Sequence, residues 1–360
     1  IHNAGLSWLQ GRDGNYWGHN AIIRVRPFMQ HCGLPKLPGP PPFGVEILSH
    51  DFVEAALLRR AGWDVWMAPD IGGSYEAPPP TIHDHLKRDR RWCQGNLQHL
   101  AVVFAQGLRL PSRLHLVLGI MSYLSSPLWL LLLIVSGIDM MLFHQAAPVV
   151  YFGRIPGLAL PVSHKFELVL LVVVTALMLY GPKFFALLLL HRDPERLRAH
   201  GGAANITRGI LAESLFSTLM APVVMLSHSW FVCNIMMGIS SGWGAQQRQD
   251  RRLPLTFVAR GYWLHTLIGI VAAIVLFHYA PRSFGWFVPL LAGLILSIPL
   301  VYFTSSPTLG RVLQRAGLFL VPSEAQGADE IPQRANDLAG AYAAGADEPL
   351  ALADGRIFAG

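Results

Sequence analysis

Charge is what this sequence has least of. Only 14% of its 360 residues are Asp, Glu, Lys or Arg, whereas 52% are hydrophobic and the mean hydropathy is +0.39. That excludes an ordinary soluble surface, on which about a quarter of the residues are charged. Cysteine is nearly missing too. Cys32, Cys93 and Cys233 are scattered without metal-ligand spacing, so structural disulfides and a zinc site are not expected. The fifteen histidines contain no His-Glu-x-x-His pattern. No internal repeat is apparent, and no signal peptide is expected from the opening residues. The chain opens at Ile1 inside what reads as a domain, so the expectation is a fragment lacking its N-terminal part.

What is present is apolar length. Several windows approach the ~20 residues needed to cross a bilayer, at about 116–143, 166–190, 261–280 and 284–303. Gly181-Pro182-Lys183 is expected to bend or end the second span. The segment 210–239 is apolar but interrupted by Ala221-Pro222 and dotted with His228, Ser229 and Asn234. The net charge of +6 comes from arginines between these segments, which suits cytoplasmic loops better than a nucleic-acid face. Placing the clusters 192–208, 248–260 and 311–315 on one side requires 210–239 to enter and leave on that side, so a re-entrant or tilted, broken hairpin is expected there, with a single crossing as the alternative. The tail from 323 is rich in Ala, Gly and acidic residues, and disorder is expected there.

Residues 1–110 are mixed. Ala21–Val25 and Asp64–Ala68 read as short strands and 51–61 as a helix. Thr81 is expected to cap a helix reaching about Gln106. The alternation predicts the late half of an α/β domain, joined to a transmembrane α-helical bundle over 111–304 and a tail over 305–360.

The candidate chemistry lies in three short stretches. Asp51, in Ser49-His50-Asp51, stands at a helix start, where a carboxylate acts as a base or simply caps the helix. His50 is a second base or a solvated loop histidine. Arg88 and Arg91 suit phosphate oxygens; the same arginines also read as a solvated run or lipid contacts. Trp92 offers a flat face to a sugar ring, or anchors at headgroup depth. Gly18 and Asn20 form either a plain turn or a place where a substrate approaches the backbone closely.

In order, these residues resemble the processive family 2 glycosyltransferases. Tyr16 to Arg24 is similar to the family's Phe-x-x-Gly-x-x-x-x-x-Arg strand. Ser49-His50-Asp51 stands where the family has Thr-Glu-Asp, and Arg88-x-x-Arg91-Trp92 where it has Gln-x-x-Arg-Trp. Ile47–Leu57, Arg88–Leu97, Ser305–Arg311 and Leu318–Pro322 resemble the branch that makes osmoregulated periplasmic glucans at the inner membrane.

The resemblance implies a GT-A-like catalytic domain, UDP-glucose as donor and a mainly β-1,2-linked glucan as acceptor and product. It implies Asp51 as the base for inverting attack, Arg91 on the diphosphate and Trp92 on the acceptor ring. A divalent cation, normally Mg2+, and acyl carrier protein as a partner also follow from it. Two departures stand out. Arg88 replaces the family's Gln, and the only aspartate before Asp51 is Asp13, so the Asp-x-Asp metal ligands are not in this chain. The 360 residues alone are therefore expected to be inactive. The competing readings are a cellulose or hyaluronan synthase, a polysaccharide channel subunit without catalysis, and a sugar transferase acting once per lipid-linked acceptor.

Overall fold

The computed structural model describes residues 2–16, 18–71, 76, 78–143, 149–151, 159–161, 165–242, 250–281, 284–320, 337 and 340. Helices dominate. The first part carries α1 (His2–Gln10), α2 (Val25–His31), α3 (His50–Arg60) and α4 (Ile82–Val102). After these come α5 (Leu110–Phe143), a two-stranded antiparallel hairpin of β1 (Val149–Tyr151) and β2 (Ala159–Pro161), and α6 (Lys165–His191). The remainder is α7 (Pro194–Ala199), α8 (Ala203–Met236), α9 (Leu255–Tyr279), α10 (Phe284–Ile295), α11 (Ser297–Thr304) and α12 (Pro307–Arg315).

The two strands expected before residue 70 are not formed. Ala21–Arg24 is irregular and leads into α2, with Ile22 94% exposed rather than buried. Asp64–Ala68 contributes one parallel bridge, Asp13 to Val65. A strand exists by pairing, and among the described residues the Asp13–Val65 bridge is not extended into a ladder. The helix expectations fare better. Thr81 caps α4, accepting the Asp84 N–H at 3.2 Å and donating its hydroxyl to the Asp84 carboxylate at 2.6 Å. These two bonds satisfy one orphan amide and anchor the first turn.

Four helices are long and apolar enough to cross a membrane: within α5, within α6, α8 and α9. None of α6's apolar window is buried inside the protein, so its complement must be apolar solvent. Pro182 lies inside α6 without ending it. The broken hairpin expected at 210–239 is also absent, because α8 runs unbroken through Pro222. Its polar residues are accommodated instead of breaking it. Ser227 and Ser229 donate back to the Val223 and Met225 carbonyls, and Pro222 packs against Gly293 of α10, whose missing side chain makes room. Both flanks of α8 nevertheless meet the C-terminal segment, Asn205 against Gly317 and the Leu253 N–H on Ser305 Oγ at 3.1 Å. The last expected span is bent by 53° between α10 and α11. The expectation of a disordered tail falls, apart from 337 and 340, outside the described residues.

Helix α4 is the junction of the molecule. On one side α3 packs Val53, Ala55, Ala56, Leu57 and Leu58 with Val102 of α4 and Leu116 of α5. On the other, Cys93 and Leu97 of α4 join Ile120 and Tyr123 of α5 and Val232 and Ile235 of α8. Further toward its N-terminus, Leu86 meets Met220 and Val223 of α8, Val258 of α9 and Val301 of α11. Three of the four long apolar helices, α5, α8 and α9, are therefore seated on the same rod that carries the arginine–tryptophan run.

A polar clamp ties that rod to the preceding loop. Gln98 is 1% exposed; its amide donates to the carbonyls of Pro42, Gly44 and Glu46 at 3.1–3.3 Å and accepts the Leu48 N–H at 2.9 Å. Leucine fits the same space but strands these groups. Gln98→Leu is expected to cost about 2–3 kcal/mol, read as a fall of about 5 °C in the Tm in detergent. A shift below about 1 °C would show that the clamp is dispensable.

Candidate functional site

The site begins at the N-terminus of α3. Ser49 occupies the N-cap without a side-chain capping bond, and Asp51 is the second helical residue. Asp51 therefore does not cap the helix; its carboxylate sits in the first turn, where the helix dipole favours negative charge. Its nearest loop is the Tyr16–Asn20 stretch, of which Trp17 lies outside the described residues. Gly18 has φ +74°, and a Cβ there would lie 2.3 Å from Asp51 Oδ1. The backbone at Gly18 is thus approached by the Asp51 carboxylate, not by open space held for a substrate. Asn20 also takes a positive φ, 52°, and His19 pairs with Glu76 at 2.6 Å.

Around Asp51 sits a small titrating group. His50 Nδ1 lies 3.3 Å from Asp51 Oδ1 and 2.9 Å from Glu54 Oε1. The other Glu54 oxygen accepts the Tyr16 hydroxyl at 2.6 Å. Burial raises the Asp51 pKa above the ordinary carboxylate range; His50 opposes this and Glu54 adds to it. For Glu54, burial pushes the pKa up, but the hydrogen bonds from His50 and Tyr16 prevail and lower it. The bond to Glu54 raises the pKa of His50. Asp51 is thus the proton-seeking carboxylate of the pair and Glu54 the committed anion. His50 does not act as a free loop histidine, since its ring is tied to Glu54.

Ligand atoms of His50, Asp51 and Glu54 lie within 4.8 Å of one another, close enough to reach one ion. Their chemistry does not fit Mg2+. One donor is an imidazole nitrogen where Mg2+ prefers oxygen, and the Glu54 oxygens already serve His50 and Tyr16.

The second half of the site is on α4. Arg91 is buried, 8% exposed, and Trp92 is 38% exposed. The Arg88 guanidinium carbon lies 4.2 Å from the centroid of the Trp92 ring, a cation–π arrangement that covers one indole face. Arg88 also reaches His85 Nδ1 at 3.3 Å. With Asp89 and Arg91 both buried, the run is not a solvated charge face.

The two halves meet at Gly95. A Cβ on Gly95 would lie 2.3 Å from Ser49 Oγ and 2.5 Å from the Ser49 backbone nitrogen, so α4 touches the base of the Ser49-His50-Asp51 loop directly. One turn further, His99 Nε2 bonds the Ser49 carbonyl at 2.9 Å, and its ring lies 5.6 Å from that of Phe52. Burial lowers the His99 pKa to about 4, so a neutral imidazole holds this joint at physiological pH. Asp51 is two residues beyond Ser49, and Trp92 is three residues before Gly95.

Sequence reasoning missed several of these residues. Glu54 was findable as the i+4 partner of His50. Tyr16, Gly95, Gln98 and His99 carried no local signal, since each acts on a segment at least 38 residues away. Asp13, noted as the one upstream aspartate, is structural. With Asp64 it flanks Arg59, whose side chain is 3% exposed and bonds both carboxylates at 2.6 Å.

The profile of the family described as Glycosyl transferase family group 2 matches residues 10–191, which hold every residue of both halves. Among curated proteins, glucans biosynthesis glucosyltransferase H of Shewanella sp. (strain W3-18-1) is 43% identical over 357 residues, 98% of this chain and 49% of that protein. The protein of that name from Shewanella oneidensis is 42% identical over the same coverage. That from Xylella fastidiosa is 42% identical over 329 residues, 89% of this chain and 50% of its own. The chain spans about half the length of the curated relatives it matches. No solved structure matches. Matched over half its length by the family's own profile, this chain belongs to glycosyl transferase family group 2.

Proposed function

We propose that this chain carries the acceptor side and the apolar helices of a membrane glucosyltransferase that extends a β-1,2-linked glucan with glucose from UDP-glucose; the names of its relatives support glucosyl transfer in glucan biosynthesis, and the motif resemblance supplies the donor and the linkage. The observation that carries this reading is the Ser49–Gly95 contact. It brings a carboxylate of raised pKa to the helix that bears a buried arginine and a half-exposed tryptophan.

In this reading Asp51 takes the proton of the acceptor hydroxyl as its oxygen attacks the anomeric carbon. The bond from that carbon to the diphosphate oxygen breaks, UDP leaves and the configuration inverts. Arg91 balances charge on the departing diphosphate. Trp92 presents its uncovered face to the terminal glucose. Arg88, stacked on the other face, stiffens the indole rather than replacing the family's amide. His50 and Glu54 set the basicity of Asp51, with Tyr16 holding Glu54. The α3–α4 segment then belongs to a GT-A-like α/β catalytic domain facing the cytoplasm. The apolar helices lie in the bacterial inner membrane and deliver product to the periplasm. A divalent cation at the donor diphosphate is part of the reading, with ligands other than His50, Asp51 and Glu54. Nothing among the described residues identifies a surface for acyl carrier protein.

Membrane vesicles containing the complete gene product, supplied with UDP-glucose and Mg2+, should incorporate glucose into a polymer whose linkage analysis gives mainly β-1,2 bonds. A β-1,4 polymer would move the chain to a cellulose-type synthase. Absence of any glucose incorporation would leave only a conduit.

A further inference from the structure

The run from Arg88 to Trp92 contains a buried carboxylate the chemistry above does not use. Asp89 is 7% exposed, and its Oδ2 lies 3.1 Å from Nε2 of His228 on α8. The same oxygen lies 3.3 Å from Nε2 of His85, one turn earlier on α4. His228 is 8% exposed, its ring framed by Tyr123 of α5 at 5.2 Å and Phe231 of α8 at 6.0 Å. Burial would raise the Asp89 pKa, but the two histidines prevail and hold it at about 2. A second polar bridge runs the same way. Gln94, 3% exposed, accepts the Ser241 N–H beyond α8 at 2.7 Å while donating to the Pro42 carbonyl at 3.1 Å.

A buried carboxylate–imidazole joint is a costly way to hold two helices together, because an apolar pair of similar volume does so at least as well. What a polar joint adds is register, since its atoms meet at only one axial and rotational setting. On α4 a slip of one residue rotates every side chain by about 100° and shifts it by about 1.5 Å. Such a slip would take Gly95 off Ser49 and so shift Trp92 relative to the loop that carries Asp51.

We propose that Asp89 and His228 are a positioning pair that sets the register of α4 against the long apolar helix α8, and so holds Arg91 and Trp92 in line with both Asp51 and the path of the growing glucan. The inference rests on the glucosyltransferase reading. Neither residue touches substrate in it. Losing the pair weakens the grip on the acceptor end and the charge balance on the departing diphosphate, so chain length and turnover fall while binding of the intact donor is kept.

The test uses the complete gene product in membrane vesicles with UDP-glucose, reading the KM for UDP-glucose, turnover and glucan chain length. Asp89→Asn and His228→Phe are each expected to shorten the glucan about fivefold, with KM for UDP-glucose within about twofold of wild type. The double variant should be no worse than the worse single, as expected of one interaction. His228→Gln places an amide nitrogen where the imidazole Nε2 stood and should keep the chain length within about twofold. If His228→Phe does not accumulate in the membrane, Asp89→Asn against His228→Gln carries the comparison.

Normal chain length in Asp89→Asn overturns the proposal. So do multiplicative losses in the double variant, equal losses in His228→Gln and His228→Phe, or a raised KM for UDP-glucose with chain length unchanged. A wild-type protein that makes no glucan removes the reading beneath and the pair with it, whereas an active wild type with unaffected variants removes the pair alone.

Discussion

Replacing Asp51 with Asn should lower glucose incorporation by the complete gene product about 10²–10⁴-fold, the usual loss when a general base is removed. The fold should barely notice. Asn keeps the shape of Asp, Ser49 holds the N-cap, and the first-turn charge is worth at most about 1 kcal/mol at such a site. An activity within tenfold of wild type, at equal protein in the membrane, would remove Asp51 from the chemistry.

A pH profile sharpens the test. The base works ionised, so protonation inactivates it and activity falls as pH drops through the Asp51 pKa. Burial raises that pKa above the ordinary aspartate value of 3.8, so the acid limb should lie above the one an exposed aspartate would give. Asp51→Asn should flatten this limb in whatever activity remains.

The second large effect is expected at Gly95. Alanine is the better helix former by about 1 kcal/mol, so on propensity alone Gly95→Ala stabilises. Packing reverses the sign. The new Cβ would stand 2.5 Å from the Ser49 backbone nitrogen and 2.3 Å from its Oγ; the hydroxyl can rotate away, but the backbone cannot. Overpacking of this kind costs about 1–3 kcal/mol, and relief requires α4 to move off the loop carrying His50 and Asp51. Gly95→Ala should therefore lower the Tm and reduce glucose incorporation at least tenfold. Gly261→Ala is the control, because a Cβ there meets nothing within 4 Å. Identical behaviour of the two variants would mean that the Ser49–Gly95 contact does not organise the site.

Much of the architecture was legible locally. Apolar length marked α5, α6 and α9, and Thr81 marked the start of α4, because a membrane helix and an N-cap are each specified within a few turns of chain. The strands expected at 21–25 and 64–68 were not, because a strand is defined by a neighbour that its own residues do not name. Pro182 and Pro222 misled for a related reason. Proline breaks a helix in isolation, yet packing such as that of Gly293 against Pro222 keeps α8 whole.

The site divides the same way. Asp51, Arg91 and Trp92 could be singled out from order and spacing, and His50–Glu54 obeys an i, i+4 rule. Asp89 looked like one more charge in a basic run; only its burial beside His228, 139 residues away, sets it apart. The sequence by itself determined that the chain is a membrane protein with a carboxylate motif, a basic–aromatic motif and a set of long apolar helices, since composition and local periodicity suffice for those. Only the tertiary structure decided that the two motifs converge at Ser49 and Gly95, that Gly18 yields its space to Asp51, and that α4 is locked to α8 by buried polar groups. Those are contacts between distant segments, and their strength comes from burial, which no single segment of chain can create alone.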